Sequence, residues 1–238
     1  MKQIIRLLLI LVTPYASADI SIEQETADCL RVKNFSITGG NYYKLKEYSK
    51  ARDQYEKQAA WSESCQLSEQ DIATAYNNVA LTYIHEKKYL KAKAWLDVNP
   101  KNKKSIFNYN KVKQQIDTLI KDHSNTPEGK YWLYAGKSLW NEFTISKKND
   151  SYEFNFEGYY AGLMAMYYGP NIGSFSALLK ISNSEAHIDM AKENDADSDC
   201  AYKFSFAKTK LTVERVSGTS CGFGHNVSAE GIYQKVEY

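Results

Sequence analysis

The chain has little of what most catalytic centres are built from. It holds only four histidines in 238 residues, and none sits in an H-x-x-x-H pair. The four cysteines form no C-x-x-C pair, so a zinc site has no ligand spacing to rest on. No G-x-S-x-G elbow marks a serine nucleophile. The one glycine-rich stretch, Cys221 to Val227, lacks the Lys-Ser/Thr pair and following helix of a phosphate loop. Glu193, Asp195, Asp197 and Asp199 alternate, but Cys200 and Phe206 stand where a calcium loop needs Gly and Glu. Charge of one sign is missing too. Lysine and arginine total 30 against 28 acidic residues, and the difference vanishes if Lys2 and Arg6 are removed. A global basic footprint for nucleic acid is therefore absent.

Long apolar runs are also scarce. The longest, Ile4 to Val12, is interrupted by Arg6 and is too short to span a bilayer. With Lys2 and Arg6 before or within it, and Ala16-Ser17-Ala18 after it, residues 1–18 have the pattern of a cleavable secretory signal. The expectation is a periplasmic or secreted protein that begins near Asp19, without stable membrane insertion. In an oxidising compartment four cysteines imply two disulfides. Three connectivities are possible. Cys29–Cys65 with Cys200–Cys221 keeps each bridge within one domain.

What is present divides into two periodicities. Over Ser68 to Pro100 the pattern is helical. Ser68 and Asp71 have the form of a capping box. Ile72, Ala75, Tyr76, Val79, Ala80 and Tyr83 then fall on one helix face. A polar break at Glu86 to Lys88 leads into a second run: Leu90, Ala92, Trp95 and Leu96. An earlier stretch, Gly39 to Ala59, has the same plan, and a closing helix follows over Ser105 to Lys121.

This half resembles the tetratricopeptide repeat family. Gly40, Tyr42 or Tyr43, Ala51 and Tyr55 fill the family pattern once; Ala80, Tyr83, Ala92 and Leu96 fill it again. The copies depart from it in spacing, 41 residues from Ala51 to Ala92 against about 34 in the family. Gln58 and Asn99 also replace the late alanine. The resemblance implies helical hairpins whose concave face binds another protein. Tyr42, Tyr43, Asn77 and Asn78 are the candidate contacts there. A hairpin turning near Lys46 would bring Cys29 and Cys65 to one end.

After a turn-rich linker, His123 to Gly129, the period becomes two. Tyr152, Phe154 and Phe156 alternate with polar residues, as do Tyr202, Phe204 and Phe206. Nine candidate strands follow, including one over Leu163–Tyr168. The fold class expected is α+β: a helical-hairpin domain over 19–123, then an antiparallel β-barrel or β-sandwich over 124–238. The ending, from Cys200 to Glu237, resembles exported bacterial domains related to lysozyme inhibitors. The inhibitory S-G-x-x-Y loop is not matched, since Cys221 stands at the Tyr position after Ser217-Gly218. His225, in the glycine-rich turn, is a further candidate contact.

These expectations favour a protein-binding protein without catalysis, cofactor or metal, one that blocks a cell-wall-degrading hydrolase or effector. An envelope scaffold is the alternative. A small-ligand carrier and a glycan hydrolase are less favoured, because Glu153 and Glu157 turn outward with nothing to desolvate them.

Overall fold

The computed structural model describes residues 20–123, 126–193 and 198–238. The expected signal segment, residues 1–18, lies outside them, as do Asp195 and Asp197. Six helices come first: α1 Ile22–Leu30, α2 Val32–Lys44, α3 Tyr48–Ser64, α4 Glu69–His85, α5 Tyr89–Asp97 and α6 Lys103–His123. Among the described residues no helix is long and apolar enough to cross a membrane.

Helices α2 and α3 form one antiparallel hairpin, α4 and α5 a second, and α6 closes the layer. Both hairpins turn through a lysine in the left-handed region, Lys46 (φ 62°) and Lys87 (φ 60°). The 41-residue offset between these turns also relates Tyr42 to Tyr83, Ala51 to Ala92 and Tyr55 to Leu96. The same offset relates Gly39, not Gly40, to Ala80. A Cβ on Gly39 would lie 2.6 Å from the Tyr55 ring, whereas one on Gly40 would meet only the Tyr55 hydroxyl at 3.8 Å. The crossing residue is therefore Gly39. The Ser68 cap forms as its spacing implies: Ser68 Oγ accepts from Asp71 N at 3.2 Å and donates to the Asp71 carboxylate at 2.6 Å.

Eight antiparallel strands follow: β1 Gly129–Gly136, β2 Leu139–Lys148, β3 Ser151–Tyr160, β4 Asn171–Leu179, β5 Glu185–Asp189, β6 Ala201–Ala207, β7 Lys210–Ser217 and β8 Gly231–Glu237. Their order, β4-β3-β2-β1-β8-β7-β6-β5, makes two four-stranded meanders joined by the β1–β8 ladder. The sheet curls into a nearly closed barrel. Its open seam lies between β4 and β5, beside the isolated Ser182–Glu185 bridge. The inward residues are aromatic: Phe143, Phe154, Phe156, Tyr202, Phe204 and Tyr233 are all fully buried. Phe143 lies 4.8 Å from Phe156 and 5.0 Å from Tyr233, centroid to centroid.

The expected ninth strand, Leu163–Tyr168, is instead a loop that carries a single helical turn, α7 Ala165–Tyr168. The β3–β4 register runs from Tyr152↔Leu179 to Tyr160↔Asn171, which leaves 161–170 as the connection. Its apolar residues are consecutive and do not alternate, and Gly162 and Gly169 (φ 83°) bracket them. A second short turn, α8 Met190–Glu193, follows β5.

Both disulfides have the expected pairing. Cys29 in α1 is joined to Cys65 at the end of α3, and Cys200 at the start of β6 to Cys221 in the β7–β8 connection. Next to the second bridge the Asp199 carboxylate accepts from Ser220 N at 2.6 Å and Thr219 N at 2.8 Å. Those amides hold its carboxyl below the usual range. Asp199 is thus a loop anchor. Among the described residues no cluster of potential ligands could hold a metal ion.

Candidate protein-binding surface

The inner side of the helical layer is where the repeat resemblance implies a partner. This chain fills it from within. Tyr76, Tyr83 and Trp95 point at the β1–β2 hairpin, which answers with Trp132, Tyr134 and Trp140. Trp95 meets Trp140 edge-on at 5.3 Å and Tyr134 at 5.9 Å. Tyr83 meets Trp132 at 6.4 Å. Polar contacts fix the register at the hairpin tip. The Glu63 carboxylate accepts from the Tyr134 hydroxyl and from Lys137 N at 2.8 Å. Ser138 Oγ donates to the Glu56 carbonyl at 2.7 Å.

Asn77 and Asn78 accordingly serve the fold. Asn77 is 2% exposed. Its Nδ2 donates to Ala73 O at 2.8 Å and Ser105 Oγ at 3.0 Å, and its Oδ1 accepts from Asn108 Nδ2 at 2.8 Å. That network ties α4 to α6. Asn78 Nδ2 donates to Gln58 Oε1 at 3.2 Å, linking α4 to α3. Tyr42 and Tyr43 are half-buried at the turn end of the first hairpin. The Lys50 ammonium lies 5.6 Å from the Tyr42 ring, and Tyr43 packs edge-on against Tyr48 and His85. His225 is exposed on the barrel's loop end, where its carbonyl accepts from Asn171 Nδ2 at 2.7 Å. The five candidate contacts therefore do not form one site.

One carboxylate at the junction is electrostatically unusual. Burial pushes Glu56 up to about 7; the Arg52 guanidinium opposes the shift and Asp53 adds to it. The folded state therefore holds a proton that the unfolded chain releases at about pH 4.5. Stability falls as pH rises through the window from about 4.5 to 7, then levels off. Glu56→Gln is expected to abolish that fall and to stabilise the protein by about 1–2 kcal/mol at pH 8, after discount for partial solvation. Urea unfolding at pH 4.5, 6 and 8 checks it; parallel pH profiles for both proteins would refute the assignment.

Apolar side chains are exposed on the helices, as at Ile22, Leu30, Leu45 and Phe107, and several follow one another in the chain at the barrel end where β3 passes to β4. Leu163 is 78% exposed, Ile172 66% and Tyr168 64%, with Tyr160 and Met164 beside them in the chain. The loop and the strand ends that flank it are braced from three sides. Lys137 Nζ donates to the carbonyls of Gly162 (2.6 Å) and Leu163 (3.1 Å). Tyr167 packs edge-on against Trp61 of α3 at 5.7 Å. On the far side Gly224 N donates to Ile172 O at 2.9 Å, and the Phe223 ring packs on Phe156. Phe223 and Gly224 belong to the loop that Cys221 staples. Exposed Leu, Met and Tyr on a fixed backbone are what a protein interface uses as anchors, since little side-chain or loop entropy remains to be lost. The sequence carried a signal for this loop, an apolar run bracketed by glycines and lacking alternation. Comparison with protein-family models, with curated proteins and with solved structures finds no match to this chain.

Proposed function

We propose that this chain is an exported protein-binding protein that blocks a cell-wall-degrading hydrolase or effector, and that it does so through the β3–β4 loop. The observation that carries the reading is the braced loop: large apolar side chains left in solvent on a segment held by Lys137, by the Tyr167 ring against Trp61 and by the Cys221 loop. Monomeric proteins seldom expose such a cluster without an interaction to serve. Two disulfides are compatible with an extracytoplasmic setting. The helical layer, which resembles tetratricopeptide hairpins, acts in this reading as the support for the barrel, its inner side being taken by β1 and β2. An open repeat groove would have favoured the scaffold reading; here β1 and β2 cover the inner side where Tyr76, Tyr83 and Trp95 lie.

The test uses residues 19–238 as bait in periplasmic extract, then titrates any retained hydrolase in a cell-wall lysis assay. Stoichiometric inhibition is expected. Leu163→Asp combined with Tyr168→Ala is expected to weaken binding at least about 100-fold, as for paired hot-spot residues. Both side chains are exposed, so far-UV circular dichroism should be unchanged. Inhibition that persists undiminished in the double variant would move the interface off this loop.

A further inference from the structure

The opposite end of the barrel differs in kind. There the strand ends of β1 and β8 meet the β4–β5 and β6–β7 turns, and the aromatic packing that fills the middle of the barrel stops short. A cavity of about 320 Å³ opens at this mouth, lined by Thr126, Tyr131, Tyr152, Ile181, Phe206 and Lys208, among others. That volume lies at the small end of ligand pockets, and barrel mouths are a common place for them. Its floor is rigid. Phe206 packs edge-on against Tyr131 at 6.2 Å and Phe154 at 6.1 Å. The Tyr131 hydroxyl is committed to Pro127 O at 2.8 Å.

The charge around the mouth is unbalanced. Lys208 stands in the wall. Lys235 lies behind it, 2% exposed, its Nζ donating to Thr126 O and 5.0 Å from the Tyr131 ring centroid. Glu128 is the carboxylate that acts on Lys235. It is already engaged, accepting from Lys147 N at 3.2 Å and from the Thr126 hydroxyl at 3.3 Å. Two lysines therefore stand against one carboxylate around the aromatic recess, and that carboxylate is turned to Lys147 N and the Thr126 hydroxyl.

We propose that this mouth binds a small organic anion, with an aromatic or branched apolar body against Tyr131, Tyr152 and Phe206 and its carboxylate directed at Lys208. The recess supplies apolar burial and the lysines supply the sign of the charge. The site lies at the far end of the barrel from the β3–β4 loop, so it stands or falls apart from the protein-binding reading.

Isothermal titration of the full chain tests it with benzoate, 2-naphthoate and the neutral 2-naphthamide. One 2-naphthoate per chain is expected, with the amide at least about tenfold weaker. Lys208→Glu should weaken 2-naphthoate at least about tenfold and leave the amide unchanged. Ile181→Trp should fill the recess and abolish both. Lys208 is exposed, so its substitution keeps the test valid if Ile181→Trp fails to fold. Leu163→Asp at the other end should change nothing. No binding of either carboxylate up to millimolar concentration, equal binding of acid and amide, or carboxylate binding that survives Lys208→Glu would overturn the proposal.

Discussion

Replacing Trp95 by alanine is expected to cost about 3–5 kcal/mol, the range for a large aromatic removed from a packed core. Trp95 is almost fully buried and touches both halves of the molecule, Tyr76 from the helices and Tyr134 and Trp140 from the barrel. Tyr76, Tyr134 and Trp140 also pack on one another, which limits their collapse into the space, so a void would remain in the apolar link between the layers. In the unsubstituted protein the helical signal in the far ultraviolet and the tyrosine signal in the near ultraviolet should be lost together in urea. In Trp95→Ala both midpoints should fall, and the helical layer should begin to melt before the barrel. A cost below about 1 kcal/mol, well under the usual range for such a truncation, would show that the two layers do not depend on each other through this residue.

Removing the Cys29–Cys65 bridge ranks next, at about 3–4 kcal/mol in the chain-entropy account of a 36-residue separation. The physical reason is local as well. Asp28 is the only buried residue of α1, while Ile22 and Leu30 point into solvent. Apolar packing therefore contributes little to holding this helix, and the bridge does most of it. In the paired Cys29→Ser, Cys65→Ser variant the α1 amides should exchange with solvent at nearly unprotected rates, while those of α4 stay protected. The β3–β4 loop should feel the loss, because Leu163 and Tyr167 line one crevice with Cys29, Cys65 and Trp61. Undiminished protection of α1 after reduction would show that its packing suffices.

Much of the architecture was legible because each element buries one face. The α4 stripe from Ala75 to Tyr83 and the α5 stripe from Leu90 to Leu96 are buried as their spacing implies. Eight strands stand where alternation placed them, and both cysteine pairs follow from the domain division. Periodicity shows which side of an element is covered, but not what covers it. The inner helical face therefore read as open to a partner. A hint lay in β1 and β2, whose outward positions Trp132, Tyr134 and Trp140 are aromatic like the inward ones. A strand apolar on both faces is covered on both. Asn77 was illegible for a different reason. A polar residue on a helix face looks the same in sequence whether it meets solvent or, as here, Ser105 and Asn108. The Leu163 to Tyr168 loop was misassigned because tyrosine and methionine fit a strand as well as a turn, and only the β3–β4 register decides.

The ladder between the first and last strands has a kinetic consequence. Lys130 pairs with Glu237 and Trp132 with Gln234, so the two meanders are joined through residues almost a whole domain apart in the chain. The helical hairpins close over short turns and need not wait. Loop-closure entropy therefore predicts an ordered assembly: helices first, then the β1–β2 hairpin settling onto them, and the β8 strand last. Until that last strand arrives, β1 presents an unpaired edge, a template to which another unfinished chain can add. The rate of β8 docking thus sets how long each newly made molecule is exposed to aggregation.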